Sequence, residues 1–167
     1  MTVYLFRHGP AEERDPQRWP DDARRPLTRA GIEETEAAAR GLRSLEPPVA
    51  RILTSPAERA SATAEIVRST LGVGSPVSTW PELAPDEPAS GVLARLAGEP
   101  PRRDVLLVGH EPTLGELTGL ALTGEGVSIV RLTRAGAAAI DFARKVAPGA
   151  GALDWLLTRR QLIRLGR

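Results

Sequence analysis

Short apolar segments that alternate with helix-like segments constrain the fold of this chain more than any other feature of its sequence. Thr2–Phe6, Ala50–Thr54 and Asp104–Val108 are rich in apolar residues and have the length of buried strands. A segment with helical spacing of apolar residues follows each of them along the chain. This alternation predicts a three-layer α/β/α sandwich with a mostly parallel central sheet.

Capping residues indicate where the helices begin. Thr28 is placed to cap a helix over about Ala30–Leu45. Ser55, followed by Glu58, predicts a capping box for a helix that runs to Leu71. Two further helices, the second again with a capping box, are predicted over Ala89–Ala97 and Thr113–Leu122.

The remaining segments carry weaker signals. Pro10–Pro26 is polar and punctuated by Pro and Asp, which predicts a long loop. Strands are predicted over Pro76–Trp80, Val127–Leu132, Ala137–Phe142 and Ala152–Leu157. The chain is therefore expected to end in a run of strands.

Length and composition exclude several classes of protein. A chain of 167 residues without repeats or a linker is expected to form one domain, residues 1–167. The lack of cysteine excludes a disulfide framework, a thiolate metal site and a cysteine nucleophile. A net charge of +1 gives no sign of nucleic-acid binding, and no apolar run is long enough to span a membrane. Arginine almost completely replaces lysine, which is typical of a GC-rich bacterial genome, and we expect a cytoplasmic protein.

Both histidines of the chain follow predicted strands. His8 comes after the first of the three apolar segments, and His110 comes after the third. Because the carboxyl ends of parallel strands share one edge of the sheet, the two side chains are expected to face each other there. Arg7 and Arg59 are expected at the same edge. Two imidazoles, two guanidinium groups and a helix N-terminus form a predicted socket for a dianion such as phosphate.

Three motifs in this order resemble those of the histidine phosphatase superfamily, which includes the phosphoglycerate mutases. They are Leu5–Gly9 with its Arg-His-Gly sequence, Ser55–Ala60, and Val108–Pro112 with its Gly-His-Glu-Pro sequence. The resemblance covers nearly the whole chain. The short length and the third motif look most like the compact SixA-type phosphohistidine phosphatases. The resemblance implies a phosphoglycerate mutase-like fold.

The resemblance also implies roles for the four residues of the socket. His8 would be the nucleophile that becomes phosphohistidine, and Arg7, Arg59 and His110 would bind the phosphoryl oxygens. No metal ion or other cofactor is implied. Because His8 must be neutral to attack and His110 serves better when protonated, we expect their environments to separate the two pKa values.

The general acid has three candidates. Glu111 follows His110 directly, which resembles the position of the acid in the acid phosphatases and phytases. Glu82 lies near the segment that carries the acid in the mutases, and Asp86 ranks behind both. The alternative for Glu111 is a structural role in the first turn of a helix, and Glu82 is alternatively an ordinary loop carboxylate.

Three functions remain open at this point. The first is a metal-independent phosphatase that acts on a phosphohistidine protein or, as a close second, on a small phosphomonoester. The second is a catalytically weak module that binds phosphate. The third is a phosphoglycerate mutase, which is disfavoured because so short a chain leaves no room for a lid that excludes water.

Two further assignments concern polar residues near the motifs. Ser55 is interpreted primarily as a helix cap, with any phosphate contact secondary. Four arginines of the predicted loop are either solvated or line the entrance to the site and attract acidic substrates: Arg14, Arg18, Arg24 and Arg25.

Overall fold

The computed structural model describes residues 1–99 and 103–167. Within these ranges one six-stranded sheet is formed by β1 (Thr2–Arg7), β2 (Arg51–Thr54), β3 (Ser78–Thr79), β4 (Val105–Gly109), β5 (Ala137–Asp141) and β6 (Ala152–Leu157). The spatial order is β3-β2-β4-β1-β5-β6. The first four strands in this order are parallel to one another, whereas β5 and β6 are antiparallel to their neighbours. The predicted mostly parallel sheet is confirmed.

Helices cover both faces of the sheet in the described part of the chain. They are α1 (Arg29–Arg43), α2 (Glu58–Leu71), α3 (Ala89–Ala97), α4 (Thr113–Thr123) and α5 (Arg159–Leu165). One apolar core lies between the sheet and α3 and α4, and the other lies between the sheet and α1, α2 and α5. Along β1, alternate side chains enter opposite cores, as the two-residue period of a strand requires. The three-layer sandwich is therefore present.

The register of the central strands brings three chain segments to one edge of the sheet. Arg7 at the end of β1 lies beside Gly109 at the end of β4. The backbone N–H of His8 donates to the Gly109 carbonyl at 3.1 Å. The backbone N–H of Ser55, directly after β2, donates to the Val108 carbonyl at 3.0 Å. All three motifs therefore meet at this edge, as the strand order predicts.

The predicted strand Val127–Leu132 is wrong. This segment pairs with none of the described strands, and its backbone runs along α4. Gly115 and Gly119 have no side chains, so the backbone of the segment lies where their Cβ atoms would be. The backbone of the segment packs against the glycines of α4 while the side chains of Val127 and Ile129 are exposed, so the apolar alternation does not mark a buried strand face.

Both predicted capping boxes are also wrong. The residues before α2 and α4 are Ala57 and Pro112, and neither helix has a side-chain cap. A capping box does occur at α5, a helix that the pattern analysis did not predict, where Thr158 and Gln161 bond to each other's backbone. The predicted cap at Thr28 is confirmed, since its hydroxyl accepts from the Gly31 N–H at 2.9 Å.

Two smaller differences concern weakly predicted segments. Pro76–Trp80 forms only the two-residue strand β3. The predicted loop Pro10–Pro26 contains a short 3-10 helix, Asp22–Arg24, which contributes to the candidate site described below. No helix among the described residues combines the length and the apolar character needed to cross a membrane.

Candidate active site

The two histidines are in contact at the carboxyl edge of the sheet. Their ring centroids lie 4.9 Å apart, with an angle of 54° between the ring planes. His8 is 7% exposed and His110 is 4% exposed. The expectation that these two side chains face each other is therefore met, with both rings almost completely removed from bulk water.

A backbone hydrogen bond sets the tautomer of His8. Its Nδ1 lies 2.7 Å from the carbonyl oxygen of Gly9, which can only accept, so Nδ1 carries the proton. The lone pair of the neutral ring is then on Nε2. Burial lowers the pKa of His8 to about 3, and the charges of Arg59 and Arg7 act in the same direction. Nε2 is consequently unprotonated at neutral pH and is available as a nucleophile.

His110 is held by a serine that the sequence analysis assigned to another role. Its Nε2 lies 2.8 Å from the hydroxyl of Ser55, which also accepts from the N–H of Ala57 at 3.2 Å. Ser55 is completely buried and does not cap α2. A serine hydroxyl has one donor and two acceptor positions, so this contact accommodates His110 Nε2 either as the acceptor or, when the nitrogen is protonated, as the donor. In the sequence, the position of Ser55 directly after the predicted strand was the signal that could have indicated this contact.

The pKa values of the two histidines shift in the same direction. Burial lowers the pKa of His110 to about 2, followed by the effects of His8 and Arg59. The expected separation into one neutral and one protonated ring is therefore wrong for the protein without a bound anion. Desolvation acts on both rings alike, and both lie beside the same two guanidinium groups.

Arg59, which is buried, and Arg7, which is half-buried, flank the histidines with their guanidinium groups. Arg59 is 3% exposed, lies in the first turn of α2, and donates through Nη1 to the carbonyl of Asp22 at 2.8 Å. Arg7 donates through Nη1 to the carbonyl of Leu132 at 2.8 Å. The Nε–H groups of both arginines are buried and have no hydrogen-bond partner among the described residues. Buried donors of this kind call for an acceptor, such as an oxyanion.

Asp22, in the 3-10 helix, holds the guanidinium of Arg59 in place through an ion pair. Its Oδ2 lies 3.1 Å from Nη2 of Arg59, and its Oδ1 accepts from Nε of Arg25 at 2.8 Å. The hydrogen bond from Arg25 and the charge of Arg59 lower the pKa of Asp22. Thus Arg25, from the predicted loop, contacts a residue of the site. Sequence reasoning missed Asp22 because an aspartate in a polar loop belongs to no motif.

Thr63 connects the segment after β1 to α2. Its completely buried hydroxyl accepts from the N–H of Gly9 at 3.0 Å and donates to the carbonyl of Arg59 at 2.7 Å. This single side chain therefore links the residue that follows His8 to the turn that carries Arg59.

Glu111 is engaged with the backbone of the segment that runs along α4. Its Oε1 accepts from the Leu132 N–H at 2.7 Å, while Arg7 donates to the carbonyl of the same residue. Burial raises the pKa of Glu111, and the hydrogen bond from Leu132 and the charge of Arg7 oppose this shift. Leu132 is thus held at both ends of its backbone by side chains from the first and third motifs.

Glu82 and Asp86 are placed differently from Glu111. Glu82 forms an ion pair of 2.5 Å with Arg95 of α3, whose guanidinium carbon lies 4.4 Å from the centroid of the Trp80 ring. A hydrogen bond from its own backbone and one from Arg95 lower the pKa of Glu82. Asp86 lies in an exposed turn with a φ of 68°. The contacts of Glu82 therefore connect it to α3 and not to the two histidines.

Possible metal ligands are few at this edge. Within residues 1–99 and 103–167, no three His, Asp or Glu side chains lie close enough together to hold a metal ion. The site is instead built from two imidazoles, two guanidinium groups and the serine and threonine hydroxyls around them.

Comparisons with known proteins agree with this architecture. A model of the histidine phosphatase superfamily (branch 1) matches residues 3–85. An uncharacterized protein of Picosynechococcus sp. is 36% identical over 138 residues, which cover 81% of this chain and 82% of that protein. Phosphohistidine phosphatase SixA of Escherichia coli strain K12 is 33% identical over 128 residues, which cover 75% of this chain and 76% of that protein.

A solved structure extends the similarity to the whole fold. The protein histidine phosphatase SixA complexed with tungstate has a TM-score of 0.82 and 29% sequence identity to this chain. The match covers 97% of this chain and 99% of the other. On its sequence, its sheet topology and these relatives, the chain belongs to the SixA-type branch of the histidine phosphatase superfamily.

Proposed function

We propose that this protein is a metal-independent phosphatase that transfers a phosphoryl group from a phosphohistidine protein to His8 and then to water. The observation that carries the proposal is the buried contact between His8 and His110, beside two Nε–H groups, of Arg7 and Arg59, that have no partner in residues 1–99 and 103–167. A neutral nucleophile and donors for an oxyanion are thus adjacent.

In the first step, Nε2 of His8 attacks phosphorus. The new P–N bond forms as the bond to the leaving group breaks, and phosphohistidine remains on the protein. Arg7 and Arg59 bind the equatorial oxygens and stabilise the negative charge that spreads over them. The Gly9 carbonyl, 2.7 Å from Nδ1, stabilises the positive charge that develops on the ring.

His110 is expected to bind the phosphoryl group from the other side. A dianion next to the ring favours its protonated form, so the pKa of His110 rises when substrate binds. The ring then donates a hydrogen bond to a phosphoryl oxygen, while Ser55 maintains its orientation at 2.8 Å. The expectation of a protonated His110 therefore applies to the complex with substrate.

The leaving group distinguishes phosphohistidine from an alkyl phosphate. A phosphoimidazole protonated at its other nitrogen leaves as neutral imidazole, whereas an alkoxide must receive a proton. Glu111 is bonded to Leu132, and Glu82 is paired with Arg95. With both carboxylates engaged elsewhere, a substrate that needs no strong general acid fits the site best.

The second step returns the enzyme to its starting state. Water attacks phosphorus in line with the P–Nε2 bond, which breaks and restores the lone pair of His8. Inorganic phosphate takes up the oxygen and both protons of the water molecule and, near neutral pH, releases one of the protons to solvent. The same donors stabilise this transition state, since its equatorial oxygens occupy the same positions.

The relatives support the class of reaction. SixA of Escherichia coli is described as a phosphohistidine phosphatase, and a solved SixA structure contains tungstate. Tungstate is a tetrahedral oxyanion of the same shape and charge as phosphate. By similarity, the proposed substrate of this chain is a phosphohistidine protein.

The first test is hydrolysis of p-nitrophenyl phosphate in the presence of EDTA, because its activated leaving group makes the general acid unnecessary. We expect turnover by the wild type and none by His8→Ala. The matched variant is His110→Ala, which retains the nucleophile and loses only one ligand of the phosphoryl group. With two histidines in the chain, any trapped phosphohistidine is assigned directly.

Rapid quenching with labelled substrate completes this test. The label should appear as phosphohistidine in His110→Ala and not in His8→Ala. Turnover that survives in His8→Ala would show that the nucleophile is wrong. Tight phosphate binding without turnover in the wild type would favour the binding module. If the protein hydrolysed small phosphomonoesters but not a phosphohistidine protein, its substrate would be a small phosphomonoester instead.

A further inference from the structure

A row of arginines lies on the surface next to the candidate active site. Two adjoining clefts, of about 310 and 460 Å³, share Arg159 and Arg160 in their walls. Arg134 lines the first cleft, and Arg164 and Arg167 line the second. We call the surface formed by these five arginines the arginine groove.

The positive charge of the arginine groove is nearly uncompensated. Glu34 is the one carboxylate side chain in the described lining, and it forms an ion pair with Arg159 at 2.5 Å. The other four arginines are exposed and form no ion pair with the described residues. Since the net charge of the whole chain is only +1, this concentration of positive charge is local.

Arg134 brings one end of the arginine groove close to the site. Arg134 directly precedes Ala135, whose N–H lies 3.1 Å from the carbonyl of Arg7 and 3.2 Å from that of His8. Burial is the main cause that lowers the pKa of His8, and the charge of Arg134 contributes to the same shift, which places Arg134 near the ring. A protein bound at His8 would therefore have part of its surface near Arg134.

We propose that the arginine groove binds an acidic segment of the phosphorylated protein substrate, on either side of its phosphohistidine. This inference rests on the proposed phosphatase function and adds a determinant of substrate choice. Complementary surface charge speeds the encounter of two proteins and selects among partners. The arginine groove would thus favour acidic phosphoproteins over neutral ones.

The dimensions and lining of the arginine groove favour a protein over other anions. Arg160 and Arg164 are four residues apart on α5, which extends the charge by about 6 Å beyond the first cleft. A single small phosphate ester does not reach this far. Within the described lining there is no aromatic side chain on which a nucleic-acid base would stack.

The test compares two synthetic phosphohistidine peptides that differ only in charge. One has glutamates on both sides of the phosphohistidine, and the other has glutamines at the same positions. The variant is Arg160→Glu/Arg164→Glu. The matched control is Arg144→Glu/Lys145→Glu, which makes the same change in charge. These two control residues are exposed and follow β5 at the opposite edge of the sheet.

We expect the wild type to prefer the glutamate peptide by roughly tenfold in kcat/KM at low salt, a preference that salt removes. Arg160→Glu/Arg164→Glu should lose or invert this preference, and the control variant should keep it. Hydrolysis of p-nitrophenyl phosphate should remain within about twofold of the wild type in both variants, because this substrate does not reach α5.

Three outcomes would overturn the proposal. Equal rates on both peptides, with intact hydrolysis of p-nitrophenyl phosphate, would reject the arginine groove while leaving the phosphatase function in place. If the wild type hydrolysed neither peptide, a protein substrate would be rejected. Binding of a single-stranded RNA oligonucleotide that Arg160→Glu/Arg164→Glu abolishes, with equal peptide rates, would assign the surface to nucleic acid. If the wild type did not hydrolyse p-nitrophenyl phosphate, this result would instead contradict the phosphatase function.

Discussion

Burial of His8 and His110 links the stability of the fold to pH. In the unfolded chain both rings titrate near their usual pKa of about 6.5. In the folded protein burial lowers the pKa of His8 to about 3 and that of His110 to about 2. As the pH falls below about 6.5, the unfolded chain therefore binds protons that the folded chain excludes. The contribution of the two rings is complete above this pH and decreases on acidification.

When the pH is lowered from 7.5 to 5, we expect the free energy of unfolding to fall by about 2 kcal/mol for each of the two histidines. Urea denaturation at the two pH values measures this difference. The variant His8→Gln/His110→Gln removes both titrating groups, so its stability should depend on pH much less. If the double variant shows the same pH dependence as the wild type, the rings are protonated in the folded state.

Glu111 is expected to act as a positioning residue. Its carboxylate bonds to the Leu132 N–H, and Arg7 bonds to the carbonyl of the same residue. Glu111→Gln retains an oxygen that can accept from Leu132, whereas Glu111→Ala leaves a buried N–H without a partner. We therefore expect Glu111→Gln to retain kcat/KM within about threefold and Glu111→Ala to lose roughly tenfold to a hundredfold.

The leaving group separates this role from general acid catalysis. If Glu111 only positions Leu132 and Arg7, each variant should lose the same factor on p-nitrophenyl phosphate and on phenyl phosphate. A general acid would matter far more for phenyl phosphate, whose leaving group is the stronger base. If Glu111→Gln and Glu111→Ala both lost kcat/KM severely and equally on phenyl phosphate, but not on p-nitrophenyl phosphate, Glu111 would be the general acid.

At the scale of elements, α5 depends on a close contact with α1. Gly41 of α1 lies against the backbone of Leu162, and a Cβ at position 41 would overlap the Leu162 carbonyl oxygen. Leu162 is completely buried in the core that α1 and α5 share. Gly41→Ala is therefore expected to lower the free energy of unfolding by about 1–3 kcal/mol. This loss outweighs the gain in helix propensity, which is at most about 1 kcal/mol.

Gly74 provides the control for this substitution. It has open space around the position of a Cβ and no positive φ, so Gly74→Ala should change stability by less than about 0.5 kcal/mol. Denaturation of both variants in urea makes the comparison. If Gly41→Ala were as stable as Gly74→Ala, the contact between α1 and α5 would be looser than the structure indicates.

Element prediction succeeded where the local pattern matched the environment. The central strands β1, β2 and β4 are buried on both faces, so apolar runs identified them. Val127–Leu132 alternates apolar and polar residues like a half-buried strand, but its backbone lies along the glycines of α4 and the side chains of Val127 and Ile129 are exposed. Periodicity records which side chains are apolar, not which surface covers them, and it therefore could not separate these two cases.

At the scale of the whole molecule, the site joins segments that are distant in the chain. An oxyanion that binds Arg7, His8, Arg59 and His110 connects β1, α2 and the end of β4, and should therefore stabilise the fold as a unit. At a concentration of about 100 times the Kd, this stabilisation is about 2.7 kcal/mol. For a chain of 167 residues we expect a rise in Tm of roughly 5–10 °C with tungstate or phosphate.

Two arginines of the same helix make this prediction specific. Arg59→Met should abolish most of the rise in Tm, because Arg59 is the buried donor of α2. Arg68→Met should keep it, since Arg68 lies in the last turn of α2 and pairs with Glu65. Thermal unfolding with and without tungstate decides the matter, and an equal rise in both variants would place the anion elsewhere.

The edge at which the site lies followed from the sequence alone. Apolar runs identified the parallel strands, and parallel strands place their carboxyl ends together. His8, His110 and Arg59 follow those strands within a few residues, so their meeting was predictable without coordinates. The one-domain interpretation and the catalytic roles of these residues remain predictions.

The partners that tune the site depended on the folded chain. Ser55 bonds to His110, Asp22 holds Arg59, and Glu111 bonds to Leu132. Each pair is separated by between 21 and 55 residues, and no local pattern connects its members. The direction of both histidine pKa shifts has the same origin, because desolvation arises only when distant segments close over the rings. Strand propensity is local and can be read along the chain, whereas burial and long-range hydrogen bonds exist only after the layers have packed.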